Sequence, residues 1–384
     1  MPLSDSESML EGVRIIDLTS VVFGPYATQI LADFGAEVVK IEAPAGDIFR
    51  YSSRSAKTRA MSAGHLALNR GKQSVVLNLK NEEDTAVMRE LISGADVFIH
   101  NVRKTAIERL GFGYEAVKAI NKDLIYVHCV GFGSGGPYED LQAYDDVIQA
   151  ATGTTSLLSR VDGDPTPRYI PSLIADKVAG LNAAYATLAA VIHKLRTGRG
   201  QHVEVPMFEA FTAFMMKEHL ADKAFDPPLG SACYSRQVDP YRQPFPTADG
   251  HVVIVPYSLE SWDAVYEAMD YSEFLDDERF SSPRARVKHM EELYQGIATR
   301  TPMKTSQEWC DVLRPLNVPC MAVRDIEDIL EDPHLQATGF FQRKEHPTEG
   351  RYYQMSEAAQ FSGWNAPTRS PAPALGEHTG KFKT

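Results

Sequence analysis

The chain has 384 residues, 43% of them hydrophobic and 23% charged, with 39 Lys and Arg against 51 Asp and Glu for a formal net charge of −12. Such a composition excludes a disordered or fibrous chain, and the acidic balance argues against a nucleic-acid or anionic-membrane surface. The length fits two domains, the acidic start MPLSDSESMLEG reads as neither signal nor transit peptide, and no apolar run reaches the ~18–20 residues of a membrane span, so the expectation is a cytoplasmic protein.

The first 130 residues alternate strand and helix. Val13–Leu18 reads as a short apolar strand, and Gly24-Pro25 opens a helix with Pro at its first position, ending near Gly35. Strands follow at Glu37–Glu42, Ser74–Leu79, Asp96–His100 and Leu124–Val130, with helices over 82–93 and 114–121. This alternation predicts an open, mostly parallel sheet with helices on both faces and a ligand site at the carboxyl ends of its strands. A glycine-rich loop, Gly131–Pro137, leads to helical patterning at 144–151. The clearest helix starts near Asp176, with one apolar stripe through Val178, Leu181, Tyr185, Leu188, Ile192 and Leu195. Thr197-Gly-Arg-Gly200 stops it before a strand at Gln201–Val205. After Lys223 the character changes. A turn at Thr247–Gly250, a strand at His251–Val255 and helical patterns near 258–269, 284–300 and 305–315 predict a smaller α+β domain. The expected division is a large α/β domain over 1–215, completed by the tail 326–384, with linker and small domain over 216–325.

The candidate chemistry is sparse. The turn after the first strand carries one glycine where a dinucleotide fingerprint needs three, and neither a Walker A motif nor HExxH is present. Cys129, Cys233, Cys310 and Cys320 form no metal-binding spacing and read as reduced thiols. Arg70 and Lys72, and Arg103, Lys104 and Arg109, fall beside the expected strand ends; they are either phosphate donors or solvated turns. Asp176 is either the N-cap of its helix or an ionised nucleophile at a loop–helix junction. Tyr144, Asp145 and Asp146 read as a solvated helix start, His128 as a packed side chain and His251 as an exposed one.

Blocks carried by these same residues resemble the class III (CaiB/BaiF type) coenzyme A transferases, a family that also holds the α-methylacyl-CoA racemases. They include Leu10–Leu18 running into Gly24-Pro25, Leu31–Glu42, Asn69–Lys72, Leu77–Lys80, Asn101–Arg103, Arg109–Gly111, Gly131–Pro137, Asp176–Gly180, Thr197–Gln201 and Leu375–Thr379. The resemblance implies a large Rossmann-like open-sheet domain with a smaller α+β domain, in an interlocked homodimer. It implies transfer of CoA from an acyl-CoA to a carboxylic acid, with Asp176 as nucleophile through an aspartyl anhydride and an aspartyl-CoA thioester. Tyr144 would support it. CoA contacts would fall at Val22, Arg70, Lys72, Leu77, Asn101, Arg103, Lys104 and Arg109, and glycine loops would supply oxyanion donors. CoA would be a substrate, with no permanently bound cofactor and no metal; the partners would be acyl-CoA, a small carboxylic acid and a second copy of the chain.

Two rivals remain at this level. A racemase of the family carries His where this chain has Tyr144, and its distal Glu does not align with Glu260. A non-catalytic CoA-binding protein would not need Asp176. The formyl-CoA transferase branch has Gln at the position of Val22 and a tetraglycine loop where this chain has Leu229-Gly-Ser-Ala232. Oxalate–formate exchange is therefore disfavoured.

Overall fold

A computed structural model describes residues 8–383, so most of the acidic N-terminal stretch read above for targeting lies outside the described residues. In chain order come β1 (Arg14–Leu18), α1 (Phe23–Asp33), β2 (Glu37–Glu42), α2 (Ala63–Leu68), β3 (Lys72–Val76), α3 (Glu82–Ser93), β4 (Val97–His100), α4 (Lys104–Arg109), α5 (Tyr114–Ile120) and β5 (Ile125–Val130). Then follow α6 (Asp145–Ala151), α7 (Leu157–Asp162), α8 (Ile174–Thr197), β6 (His202–Pro206) and α9 (Met207–His219).

The six strands form one parallel sheet in the order β3-β2-β1-β4-β5-β6. Alternate residues feed two cores, because successive strand side chains point to opposite faces. Ile15, Val38, Ile99 and Val127 pack on one face with α1 and α8. Ile16, Val39, Phe98 and Tyr126 pack on the other with α3 and α5. The strand order reverses between β1 and β4, and the crevice at the carboxyl ends of those strands is where open α/β sheets bind ligands.

Several elements depart from the sequence reading. Strand β3 begins at Lys72, two residues before the expected Ser74, with Lys72 and Gln73 opposite Val38 and Val39. A lysine does not read as buried strand until its partner is known, and here that partner is Asp17. Pro25 is the third residue of α1, not the first. Helix α9 was not expected, and the helix expected over 284–300 breaks at His289.

The largest correction concerns α8. Most of its apolar stripe faces outward: Tyr185 is 60% and Leu195 78% exposed, and Leu181 and Ile192 are about half exposed, whereas Val178 is buried and Leu188 packs against the first core. The buried face is Ala175, Val178, Ala179, Gly180, Ala183, Ala184, Thr187, Ala190 and Val191. Small residues let α8 lie close to α1. A Cβ on Gly180 would stand 2.9 Å from the Phe23 carbonyl oxygen. By length and composition alone α8, at 24 residues with an 18-residue window of mean hydropathy 1.2, could cross a membrane, but its alanine face packs into the first core.

The described residues divide into two compact units, 8–154, 169–217 and 334–383 in one and 155–168 with 218–333 in the other. Residues 155–168, which carry α7, thus group with the smaller unit, outside the division drawn from sequence. That unit has a three-stranded antiparallel sheet of β7 (Phe245–Pro246), β8 (His251–Ile254) and β9 (Cys320–Ala322). Against it stand α10 (Leu259–Ala268), α11 (Pro283–Lys288), α12 (Met290–Arg300) and α13 (Ser306–Leu313), around a core that includes Trp262, Tyr266, Trp309 and Leu313. Capping boxes at Ser258/Ser261 and Thr305/Glu308 fix the starts of α10 and α13.

In the larger unit the tail adds the hairpin of β10 (Phe341–His346) and β11 (Gly350–Met355). It then docks on the edge strand β3: the His378 N–H donates to the Ser74 carbonyl and the Val76 N–H to Thr379 Oγ1. The Gly-Glu-His-Thr block thus covers an edge that would otherwise be open.

Candidate functional site

A cavity of about 500 Å³ lies at the strand-order reversal. Its walls are the turn after β1 (Ser20, Val21, Phe23), the segment after β4 (Asn101–Thr105) and the glycine-rich loop after β5, with Tyr144, Asp176 and Met207. Asn101 ties the first two walls together. Its Oδ1 accepts from the Ser20 N–H at 3.0 Å, and its Nδ2 donates to the Ser20 carbonyl at 2.9 Å.

Asp176 is 7% exposed and sits in the first turn of α8, two residues after its start, so it is not the cap. The capping role belongs to Asp145 at the start of α6. Its Oδ1 accepts from the N–H groups of Ala175 and Asp176 at 2.7 and 3.1 Å, and its Oδ2 accepts from Gln149 Nε2 at 2.6 Å. Asp145 is therefore buried rather than solvated as the sequence suggested. No local signal finds this role, because the capping partner lies 30 residues from the helix it caps. Freed of capping, the Asp176 carboxyl lines the cavity. Burial and the nearby Asp145 push its pKa up to about 7, and the Phe23 N–H at the head of α1 draws it part of the way back. A carboxylate that titrates near neutrality is a stronger nucleophile than one at 4, and it is still substantially ionised.

The sequence-derived candidates separate by position. Tyr144, 64% exposed, stands at the cavity wall, as do Asn101, Arg103 and Lys104. Lys104 Nζ meets Glu139 at 3.3 Å, and both side chains reach solvent. Val22 is buried between the lining residues Val21 and Phe23 but does not line the cavity itself. Arg70, Lys72 and Leu77 are elsewhere. Arg70 is paired with Asp33 at 2.6 Å, and Leu77 packs in the second core. Lys72 Nζ is enclosed by Asp17, Thr28 Oγ1, Asn69 Oδ1 and the Pro25 carbonyl. Buried cations so occupied cannot receive a phosphate without breaking an ion pair. Arg109 is exposed at the end of α4, outside the lining.

The glycine-rich loop is also committed. The N–H groups of Gly133, Ser134 and Gly135 donate to the carboxylates of Glu209, Glu204 and Glu139. Three of the donors expected to serve an oxyanion are thus already engaged. His128 lines the cavity, but its Nε2 contacts the Val102 carbonyl at 3.0 Å and its ring stacks on His100. His251 is exposed. The four cysteines are free thiols, three of them buried and Cys233 half-buried.

Three comparisons bear on this geometry. The family model described as CoA-transferase family III matches residues 10–379. The chain is 32% identical over 378 residues to a succinate–glutarate CoA-transferase of Agrobacterium fabrum, covering 96% of this chain and 93% of that one. It is 31% identical over 403 residues to a formyl-CoA:oxalate CoA-transferase of Rhodopseudomonas palustris, covering 96% and 91%. Among solved structures, a CaiB/BaiF family protein of Brucella suis matches with a TM-score of 0.84 and 27% identity, over 98% of this chain and 99% of that one.

Proposed function

The chain belongs to CoA-transferase family III and is an enzyme that moves CoA between an acyl-CoA and a carboxylic acid; on that premise we propose that Asp176 is the nucleophile, acting in the cavity at the β1–β4 reversal. The observation that carries this reading is the carboxyl of Asp176 itself, lining that cavity beside Asp145 and the Phe23 N–H, with its pKa raised to about 7.

An Asp176 oxygen attacks the thioester carbonyl carbon, the C–S bond breaks, and CoA leaves as thiolate. The thiolate then attacks the side-chain carbonyl of the aspartyl anhydride and releases the donor acid, leaving an aspartyl-CoA thioester. The acceptor carboxylate attacks that thioester and expels CoA, which attacks the acceptor's acyl carbon and restores the free carboxylate. No net proton or electron is consumed. Arg103 and Lys104, the cations at the cavity wall, serve the CoA phosphates, with Asn101 holding the wall in place. Tyr144 donates a hydrogen bond to the bound acyl group or acceptor.

For the acids we favour short dicarboxylates of the succinate–glutarate class. Relatives bearing those names are 30–32% identical over nearly the whole chain, and Val22 and Leu229–Ala232 replace the Gln and tetraglycine loop of the formyl branch. The active form is a homodimer. The outward apolar face of α8 (Leu181, Tyr185, Ile192, Leu195) and the exposed Leu141 and Tyr144 at the cavity wall supply apolar surface for a second copy.

The test of function is succinyl-CoA with glutarate, following glutaryl-CoA and free succinate. Turnover that needs no acceptor, with deuterium entering the α-carbon of a 2-methylacyl-CoA, would indicate a racemase instead.

A further inference from the structure

The turn between β1 and α1 combines a strained backbone with an unusual set of anchors. Val21 adopts φ +71°, a left-handed conformation costly for a β-branched residue, which persists only where surrounding contacts enforce it. Side chains from three other parts of the sheet hold the turn. The Val21 N–H donates to both oxygens of Asp47 at 3.1 and 3.3 Å, and Lys40 Nζ donates to the Thr19 carbonyl at 2.8 Å. Asn101 takes both backbone groups of Ser20, and Asp17 accepts from the Thr19 N–H at 2.9 Å. Lys40 and Asp47 form an ion pair at 3.1 Å with essentially no exposure of either side chain. A buried ion pair is a weak source of stability, so a specific role in fixing geometry is the better account of it.

Two residues after Val21 comes Phe23, which with Ser20 and Val21 lines the same cavity as Asp176, and its N–H is the backbone group that favours the ionised Asp176 carboxylate. We propose that the Lys40–Asp47 pair is a positioning device for the transfer reaction. It locks Val21 in its left-handed conformation, and this aims the first amide of α1 at the Asp176 carboxylate. This inference rests on Asp176 being the nucleophile. Lys40 and Asp47 touch no substrate; they act through the turn. When the carboxylate becomes an anhydride and then a thioester, the same amide stays directed at the oxygens where charge collects during each attack.

The test compares kcat, KM and the pH profile of kcat for succinyl-CoA with glutarate in a graded set of variants. Asp47→Asn retains an oxygen that accepts the Val21 N–H and should stay within about tenfold of the parent. Asp47→Ala should lower kcat about 100-fold, the scale of a misplacement of roughly 1 Å, with KM for succinyl-CoA changed less than about threefold. Its acid limb should also move to higher pH, since Asp176 keeps Asp145 beside it and loses the opposing amide. Adding Val21→Gly to Asp47→Ala should recover at least about tenfold, because glycine adopts a positive φ without strain. A merely structural role for Asp47 predicts no such rescue. If Asp47→Ala does not fold, Lys40→Met, similar in length, takes its place with the same expectations.

Unchanged kcat and pH midpoint in the folded variant, or a loss that Val21→Gly does not relieve, overturns the proposal. Failure of the underlying reading shows separately. A parent enzyme that acquires no acyl or CoA adduct at Asp176 refutes the nucleophile. An adduct on the parent with unaltered rates in the variants refutes only the positioning role.

Discussion

On the β1–β3 side of the strand-order reversal, Lys40, Arg50, Arg70 and Lys72 are each buried against a carboxylate, namely Asp47, Glu42, Asp33 and Asp17. On the β4 side, Arg103 and Lys104 stand exposed at the cavity wall. The carboxylates differ in the same sense. Burial works to raise Glu42, but the hydrogen-bonded Arg50 guanidinium and the charge of Lys40 outweigh it and hold its pKa to about 2. Asp176, equally removed from water, is shifted by Asp145 rather than by a cation and rises to about 7. One half of the sheet uses its charges to fix backbone geometry; the other keeps them at the cavity wall within reach of solvent, with Lys104 in an exposed pair with Glu139. Neither residue type nor distance from a strand end separates the two, only the partner.

The largest effect expected from breaking this contrast is on the buried side. Arg50→Ala leaves Glu42 buried without its guanidinium, and urea unfolding should show a loss of about 3–5 kcal/mol. The stabilisation from Glu42 is present above its ordinary carboxylate range near 4.5 and is lost as pH falls toward 2, so the deficit should shrink in acid.

Asp176 carries the opposite sign. The folded chain keeps a proton there that the unfolded chain releases, so this group lowers stability as pH rises from about 4 to about 7. Asp176→Asn should therefore be more stable than the parent at pH 8, by up to about 4 kcal/mol, and nearly equal to it at pH 4. Thermal melts at the two pH values check this. Transfer activity of the parent should rise with pH across the same midpoint near 7.

The exposed cations give a smaller effect, and one on binding alone. Arg103→Ala and Lys104→Ala should each weaken CoA by about tenfold or more in calorimetry, with unchanged melting temperature. Arg109→Ala, outside the cavity lining, should change CoA affinity by less than about threefold.

How much of this was legible in the sequence follows from the same contrast. Strands β1, β2, β4 and β5 and helix α3 announce themselves through apolar periodicity and short connections. Asp176, Tyr144, Asn101, Arg103 and Lys104 all reach the cavity because the carboxyl ends of parallel strands converge there. Arg70 and Lys72 were equally basic and equally near a strand, but their partners Asp33 and Asp17 lie 37 and 55 residues away, beyond any local pattern. The outward stripe of α8 fails for a related reason. Periodicity shows that a helix has an apolar face and not what covers it, and here alanines and Gly180 fill the narrow gap against α1 while Leu181, Tyr185, Ile192 and Leu195 face away.

The central claim, that Asp176 carries the acyl group and then CoA, is tested most directly by mass spectrometry. The enzyme is incubated with succinyl-CoA without acceptor, quenched and digested. The account predicts a succinyl or CoA adduct on the peptide containing Asp176, cleaved by hydroxylamine and absent from Asp176→Ala. An unmodified Asp176 peptide in an enzyme that turns over, or an adduct on another residue, would contradict it.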